Sequence, residues 1–157
     1  MIFKDIDHTE VKSLFAYKDG DLYWKKNNKK AGSLKPSGYT VIEVNKKNMM
    51  AHRLIWMYHY GQVDNFIDHI DSDKSNNKIE NLRIATKAQN CWNKKIHPLN
   101  TTNCKNVRFR KDSGKYEARI TYNKQRIVLG SFDDLELADL VAKEARNKYH
   151  KEFAHNG

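Results

Sequence analysis

The sequence predicts an α+β fold in two parts, and three observations carry that reading. Short apolar runs around residues 66–70 and 82–85 flank a polar loop and lead into a helix, giving strand–loop–strand–helix over about 30 residues. Three more β-rich runs followed by one amphipathic helix fill residues 103–157. Between these parts lies Pro98 and then a polar, breaker-rich stretch, which places domains at 1–98 and 103–157 with a linker at 99–102. A chain of 157 residues has room for one domain or two small ones.

The elements follow in order. Asp7 caps a first helix with Glu10 three residues on, and Ile6 can pack on Val11 as a staple, carrying the helix to about Ala16. Asp19-Gly20 marks a hairpin turn before Leu22-Tyr23-Trp24. Residues 25–30, rich in Lys and Asn, form a loop. Tyr39 to Val44 is a strand by its β-branched content, with Lys46-Lys47-Asn48 as its turn. Ala51 to Tyr60 is a helix closed by Gly61. Its apolar residues Leu54, Ile55, Trp56, Met57 and Tyr58 cover more than one face, so it is central to a core. Thr86 and Gln89 form a capping-box pair at the start of the next helix.

Beyond residue 102, strands run at Val107–Arg110, Tyr116–Tyr122 and Arg126–Leu129, with turns at 112–114 and 123–125. Asp133 caps a final helix with Glu136 at the third position, and Leu137, Val141, Ala145 and Tyr149 share one side. The period of two along the strands puts Arg108, Arg110, Arg119 and Arg126 on one open face. Residues 103–131 hold eight Lys and Arg against two acids, within a chain whose net charge is +10. A polyanion, nucleic acid first, is the expected partner. A two- or three-stranded sheet fits a major groove, where Arg pairs with guanine or reaches phosphates.

Four residues carry the candidate chemistry: Asp68, His69, Asn81 and Asn90. Asn81 is 12 residues after His69, and Asn90 is 9 after Asn81. A carboxylate and an amide oxygen are hard donors suited to Mg²⁺ or Mn²⁺. Two protein donors leave most positions to water and phosphate oxygens, as a metal acting on a phosphodiester requires. The imidazole of His69 can deprotonate a water. Asn81 would tie the loop. Asp68 and His69 point to opposite faces unless the strand ends or bulges there. The run Asp71-x-Asp73-x-Ser75 opens like a calcium loop, but Asn76 and Leu82 stand where Gly and Glu are needed. Cys91 and Cys104 form no CxxC pair, so no structural zinc is expected.

The stretch Asp68-His69-Ile70-Asp71…Asn76-Asn77…Glu80-Asn81-Leu82-Arg83…Gln89-Asn90 resembles the HNH homing endonucleases of phages and introns. Asp19-Gly20-x-Leu22-Tyr23-Trp24, Gly32…Gly38-Tyr39 and His52-Arg53-Leu54-Ile55-Trp56 are similar too. The resemblance covers roughly residues 15–95. It implies a ββα-metal fold and an endonuclease that hydrolyses phosphodiester bonds in double-stranded DNA. It also implies one divalent ion, Mg²⁺ or Mn²⁺, held by Asp68 and Asn90, with His69 as general base and Asn81 as the central Asn. Asn90 stands where many members have His, which favours one hard ion over zinc. His52 is explained by helix packing as well as by DNA contact and stays outside the catalytic set.

Residues 103–154 resemble the ethylene-response-factor (APETALA2-like) DNA-binding domain. Asn106-Val107-Arg108-Phe109-Arg110, Gly114-Lys115-Tyr116-Glu117-Ala118-Arg119-Ile120 and Leu129-Gly130-Ser131-Phe132-Asp133 carry that resemblance. Asn106 stands where Gly is usual, and Tyr116 where Trp is common. The resemblance implies a DNA-binding domain without base-by-base roles, and Arg108, Arg110, Lys115, Arg119 and Arg126 are the candidate DNA-binding residues.

The alternative is a sequence-specific DNA-binding regulator without catalysis. A structural virion or scaffold protein, basic only for solubility, is a third reading. Nothing approaches the ~18 consecutive apolar residues of a membrane span, so no membrane partner is expected. The start MIFKDIDHTE lacks an apolar run behind a basic start, so no signal peptide is expected. The expected compartment is cytoplasmic, that of the host cell if a phage encodes the chain.

Overall fold

In a computed structural model of the chain, residues 6–61 and 64–156 are described. The first five residues, on which the reading of the N-terminus partly rests, lie outside them. The chain divides into two compact units, residues 1–87 and 88–157. The division falls upstream of the polar stretch at 99–102, at the start of a short helix.

The first unit opens with helix α1 (His8–Leu14), whose N-cap Asp7 accepts from Glu10 N at 2.7 Å. The helix stops at Leu14 because Phe15 and Ala16 already belong to strand β1 (Phe15–Lys18). β1 pairs antiparallel with β2 (Asp21–Trp24) through the expected Asp19-Gly20 turn. A second sheet follows, with β3 (Ser33–Leu34), β4 (Thr40–Val44) and β5 (Lys47–Met50) in that order. Here the expected turn at 46–48 is corrected. The turn is Asn45-Lys46, both at positive φ, and Val44 pairs directly with Lys47. A two-residue turn of this hand matches the twist of the flanking strands. The alternating Asn48-Met49-Met50 had no β-branched signal to announce a strand.

Helix α2 (Ala51–Tyr60) follows at once, with Gly61 at φ 83 as its C-cap. Leu54 and Ile55 are fully buried in a core with Val11, Phe15, Leu22 and Ile42. Strand β6 (Phe66–His69) pairs with β7 (Leu82–Ala85), setting Asp68 opposite Arg83 and His69 opposite Leu82. A single 3₁₀ turn, Ile79–Asn81, returns the intervening loop to β7. Helix α3 (Lys87–Trp92) then begins.

The second unit holds a three-stranded antiparallel sheet, β8 (Val107–Arg110), β9 (Lys115–Tyr122) and β10 (Gln125–Phe132), packed against helix α4 (Leu135–His150). β10 runs past the expected end at Leu129, with its register shifting between Val128 and Gly130. The cap of α4 is Asp134, which accepts from Leu137 N at 2.7 Å; Asp133 faces Lys115 instead. The buried stripe shifts with it. Ala138 and Ala142 pack with Val107 and Ala118 of the sheet and Ala145 is buried, whereas Leu137 is exposed. Alanines carry no bulk beyond Cβ, so helix and sheet approach closely, which an apolar-periodicity reading weighted towards large residues does not see. Trp92 stacks on the His150 ring at 4.3 Å between centroids and on Tyr122 at 5.8 Å, fixing the end of α3 to this unit.

Candidate active site

The site in the first unit is built on the β6–β7 ladder. Ile67, Asp68 and His69 are all buried, so the strict alternation expected of a strand with one wet face does not hold here. Both faces of β6 are covered. Asp68 lies opposite Arg83 in the antiparallel register, and cross-strand neighbours of opposite charge attract. Its Oδ2 is 3.0 Å from both Nε and Nη2 of Arg83.

His69 is held from several sides. Its Nε2 lies 3.0 Å from Oδ1 of Asn77, a side chain only 3% exposed. An amide oxygen only accepts, so in this contact Nε2 is the donor. The His52 ring meets the His69 ring edge-on at 5.0 Å, and Tyr39 lies 5.5 Å from His52 and 6.2 Å from His69. Burial, then the neighbouring His69 and Arg53, lower the His52 pKa to about 3, so His52 is neutral at physiological pH. Burial, then the charge of Asp68, raise the Tyr39 phenol above its ordinary value.

The loop between the strands is cross-tied by Asn81. Its Oδ1 accepts from Asp71 N at 3.1 Å, while Nδ2 donates to Asp71 Oδ1 at 3.0 Å and to Asn76 O at 2.7 Å. Its carbonyl accepts from Ile70 N at 2.8 Å. Asp71 is exposed, and although partial desolvation raises its pKa, hydrogen bonds from Asp73 N, Asn76 and Asn81 outweigh that and hold it low. From outside, the β1–β2 hairpin braces the same loop. Tyr17 Oη accepts from Ile79 N at 3.0 Å. Gly20, at φ 88, sits so close that a Cβ there would come within 2.9 Å of Lys78 N. Any side chain at residue 20 would push the loop that carries Asn77.

The predicted residues thus divide. Asp68, His69 and Asn81 belong to one ladder and its loop in the first unit. Asn90 is half-buried on α3, in the second unit. Arg108, Arg110, Lys115, Arg119 and Arg126 lie on the sheet β8–β10. Sequence reasoning gave no role to Asn77, Arg83 or Tyr39. Arg83 was available from register alone, since pairing Asp68 across a tight ladder names its partner; Asn77 had no signal beyond being polar in a polar loop.

Among the described residues, no group of three or more His, Cys, Asp or Glu gathers to hold a metal ion. Asp68 offers one buried carboxylate, and a carboxamide is the other donor in the predicted pair. That hard-oxygen set fits a magnesium-type ion that keeps several waters, not a closed zinc site.

Residues 49–91 match the HNH endonuclease family. The chain is 29% identical over 105 residues to Protein 3.8 of Escherichia phage T7, covering 66% of this chain and 86% of that protein. It is 33% identical over 91 residues to the uncharacterized HNH endonuclease L245 of Acanthamoeba polyphaga mimivirus, and 37% identical over 90 residues to L560 of the same virus. Those matches cover 54% and 55% of this chain, but only 26% and 45% of the mimivirus proteins. A solved structure described as DNA binding and cleavage by the HNH homing endonuclease I-HmuI aligns at 27% identity and a TM-score of 0.43, over 49% of each chain. The family match and the mimivirus relatives support an HNH endonuclease domain. The matched segment takes in α2, the β6–β7 ladder and most of α3, and ends before the β8–β10 sheet.

Proposed function

We propose that the chain is a metal-dependent DNA endonuclease of the HNH type, working in the cytoplasm. The observation that carries this reading is the buried Asp68-His69 pair at the end of β6, with its loop cross-tied by Asn81, inside the segment that matches the family. Asp68 and Asn90 are the residues that would hold one Mg²⁺ or Mn²⁺. That ion, when bound, neutralises charge on the scissile phosphate and the leaving oxygen.

The protein's own part is proton transfer and orientation. His69 Nδ1 takes a proton from water, and the resulting hydroxide attacks phosphorus. The P–O3′ bond breaks, leaving a 5′-phosphate, and the departing 3′ oxygen gains a proton to become a hydroxyl. Asn77 holds the Nε2–H and so keeps Nδ1 the basic atom. Asn81 is a positioning residue that acts through the loop. Arg83 pairs with Asp68 and would have to yield part of that carboxylate when an ion binds.

The second unit is proposed to hold DNA as an APETALA2-like domain, through Arg108, Arg110, Lys115, Arg119 and Arg126. Its sheet-and-helix architecture and positive charge support this reading.

A supercoiled-plasmid assay with Mg²⁺ tests the proposal. The expected result is nicking or linearisation by the unaltered chain, and a loss of about 10²–10⁴-fold in rate for His69→Ala with DNA affinity little changed. Nicking that survives His69→Ala at full rate would remove the catalytic assignment. DNA binding without cleavage in either Mg²⁺ or Mn²⁺ would favour the non-catalytic regulator.

A further inference from the structure

The outward face of the β8–β10 sheet is not an open platform. The polar stretch after Pro98, expected to be a linker, is a fixed wall beside it. Asn100 N donates to His97 O at 2.8 Å, Asn100 Nδ2 donates to Cys104 O at 3.0 Å, and Thr102 N donates to Asn100 Oδ1 at 3.0 Å. Between this wall and the strands lies a cleft of about 460 Å³, lined by Asn100 and Thr101 on one side and by Arg108, Arg119, Thr121 and Arg126 on the other. That volume falls in the range of small-ligand sites, roughly 300–1,000 Å³.

The cations in this cleft, Arg108, Arg119 and Arg126, and their neighbour Arg110 are unequally neutralised. Arg108 Nε donates to Glu117 Oε1 at 2.9 Å, and Arg110 is engaged by both Glu117 and Asp112. Arg119 stands 3.8 Å from the same Glu117 oxygen, beyond hydrogen-bond reach. Arg126 has no acidic partner among the described residues. Of the three guanidinium groups that line the groove, only Arg108 is hydrogen-bonded to a carboxylate. Burial, then repulsion from Arg108 and Arg126, already lower the Arg119 pKa. A concave surface with more fixed cation than anion favours an anionic ligand, and a guanidinium fork matches a phosphate.

We propose that this cleft seats one backbone phosphodiester of a nucleic-acid strand, gripped by Arg119 and Arg126 between the sheet and the 97–101 wall. The proposal deepens the DNA-holding role above and rests on it. It gives those two arginines a task opposite to base reading. A phosphate contact fixes position and carries no sequence information. Arg108 and Arg110, held by Glu117 and Asp112, are not extended towards bases.

The test is fluorescence anisotropy of the full chain with labelled duplexes of unrelated sequence, and with single strands of the same length, over a KCl series. For Arg119→Ala and Arg126→Ala the expected result is a loss of roughly three- to tenfold for every sequence, with the slope of log affinity against log salt smaller in magnitude by about one. Arg126→Lys keeps the charge and should keep the slope. Lys148→Ala, on α4, should change neither. The arm in which the slope falls, duplex or single strand, identifies the source of the phosphate. A sequence-selective loss with an unchanged slope would overturn the proposal in favour of base reading, and an unchanged affinity would overturn it outright. If the unaltered chain binds no DNA at low salt, the DNA-holding role itself falls.

Discussion

The β6–β7 ladder and the β8–β10 sheet are both small antiparallel sheets bearing charged residues, but they treat those residues in opposite ways. In the ladder, Asp68, His69 and Asn77 are each about 95% covered or more and bonded to one another's neighbours. On the larger sheet Arg108 and Arg110 stay partly exposed and share two acids, one of them the buried Glu117. Burial fixes geometry and makes an unsatisfied group costly, which suits proton transfer. Exposure keeps charge mobile and screened by salt, which suits holding a polyanion of any sequence. The contrast predicts that substitutions in the ladder cost stability or chemistry, whereas those on the sheet cost affinity alone.

The largest stability effect should come from acid and should localise to His52. Its folded pKa of about 3 lies below the ordinary value near 6.5. Between these values the unfolded chain takes up a proton that the folded chain refuses. Stability from the neutral ring is therefore complete above about pH 6.5 and is lost as pH falls towards 3, by about 5 kcal/mol in the limit. Urea titrations from pH 7 to pH 4 should show a steep fall for the unaltered chain and a shallower one for His52→Leu. Equal slopes would mean that the ring cluster around His69 is wetter than its geometry indicates, and the comparison would lose its buried side.

Asn81 comes next. Its carboxamide makes three hydrogen bonds across the loop, each worth about 1 kcal/mol net. Asn81→Ala should lower unfolding free energy by about 3 kcal/mol in urea melts. It should also slow cleavage through kcat, with KM for plasmid little changed. A drop in activity with no change in stability would make Asn81 a direct participant rather than a tie.

Much of this was legible in the sequence, and what was not has a common cause. The Asp7 cap, the Asp19-Gly20 hairpin, α2 and β7 follow from local signals, because a cap or a turn is decided by the few residues that form it. The strand–loop–strand–helix run that carries Asp68, His69 and Asn81 also follows from local patterning. The shifted face of α4 and the Asp134 cap were not legible, since neighbouring residues, Asp133 and Asp134, satisfy the local rule equally and only the sheet chooses between them. Nor was the wall at 97–101. Polar residues that hydrogen-bond one another look, one at a time, like those of a solvated linker. Asn77 was invisible for a related reason, its partner being 8 residues away in sequence, whereas Arg83 could be reached only through the ladder register that sets it opposite Asp68.

The smallest effect tests the other side of the comparison. Lys115 Nζ lies 3.2 Å from Asp133, with the two side chains 44% and 83% exposed. Such a pair contributes between about 0 and 1 kcal/mol, because water screens it and two long side chains lose freedom in making it. Lys115→Ala should leave the urea midpoint nearly unchanged. If the lysine contributes to holding DNA, affinity falls with a smaller salt slope, as for any lost phosphate contact. A marked loss of stability instead would mean that the sheet uses its charges structurally, as the ladder does, and the division of labour between the two sheets would not stand. An unchanged affinity with unchanged stability would confine DNA contact to the arginines beside the wall, because Lys115 is not among the residues that line that cleft.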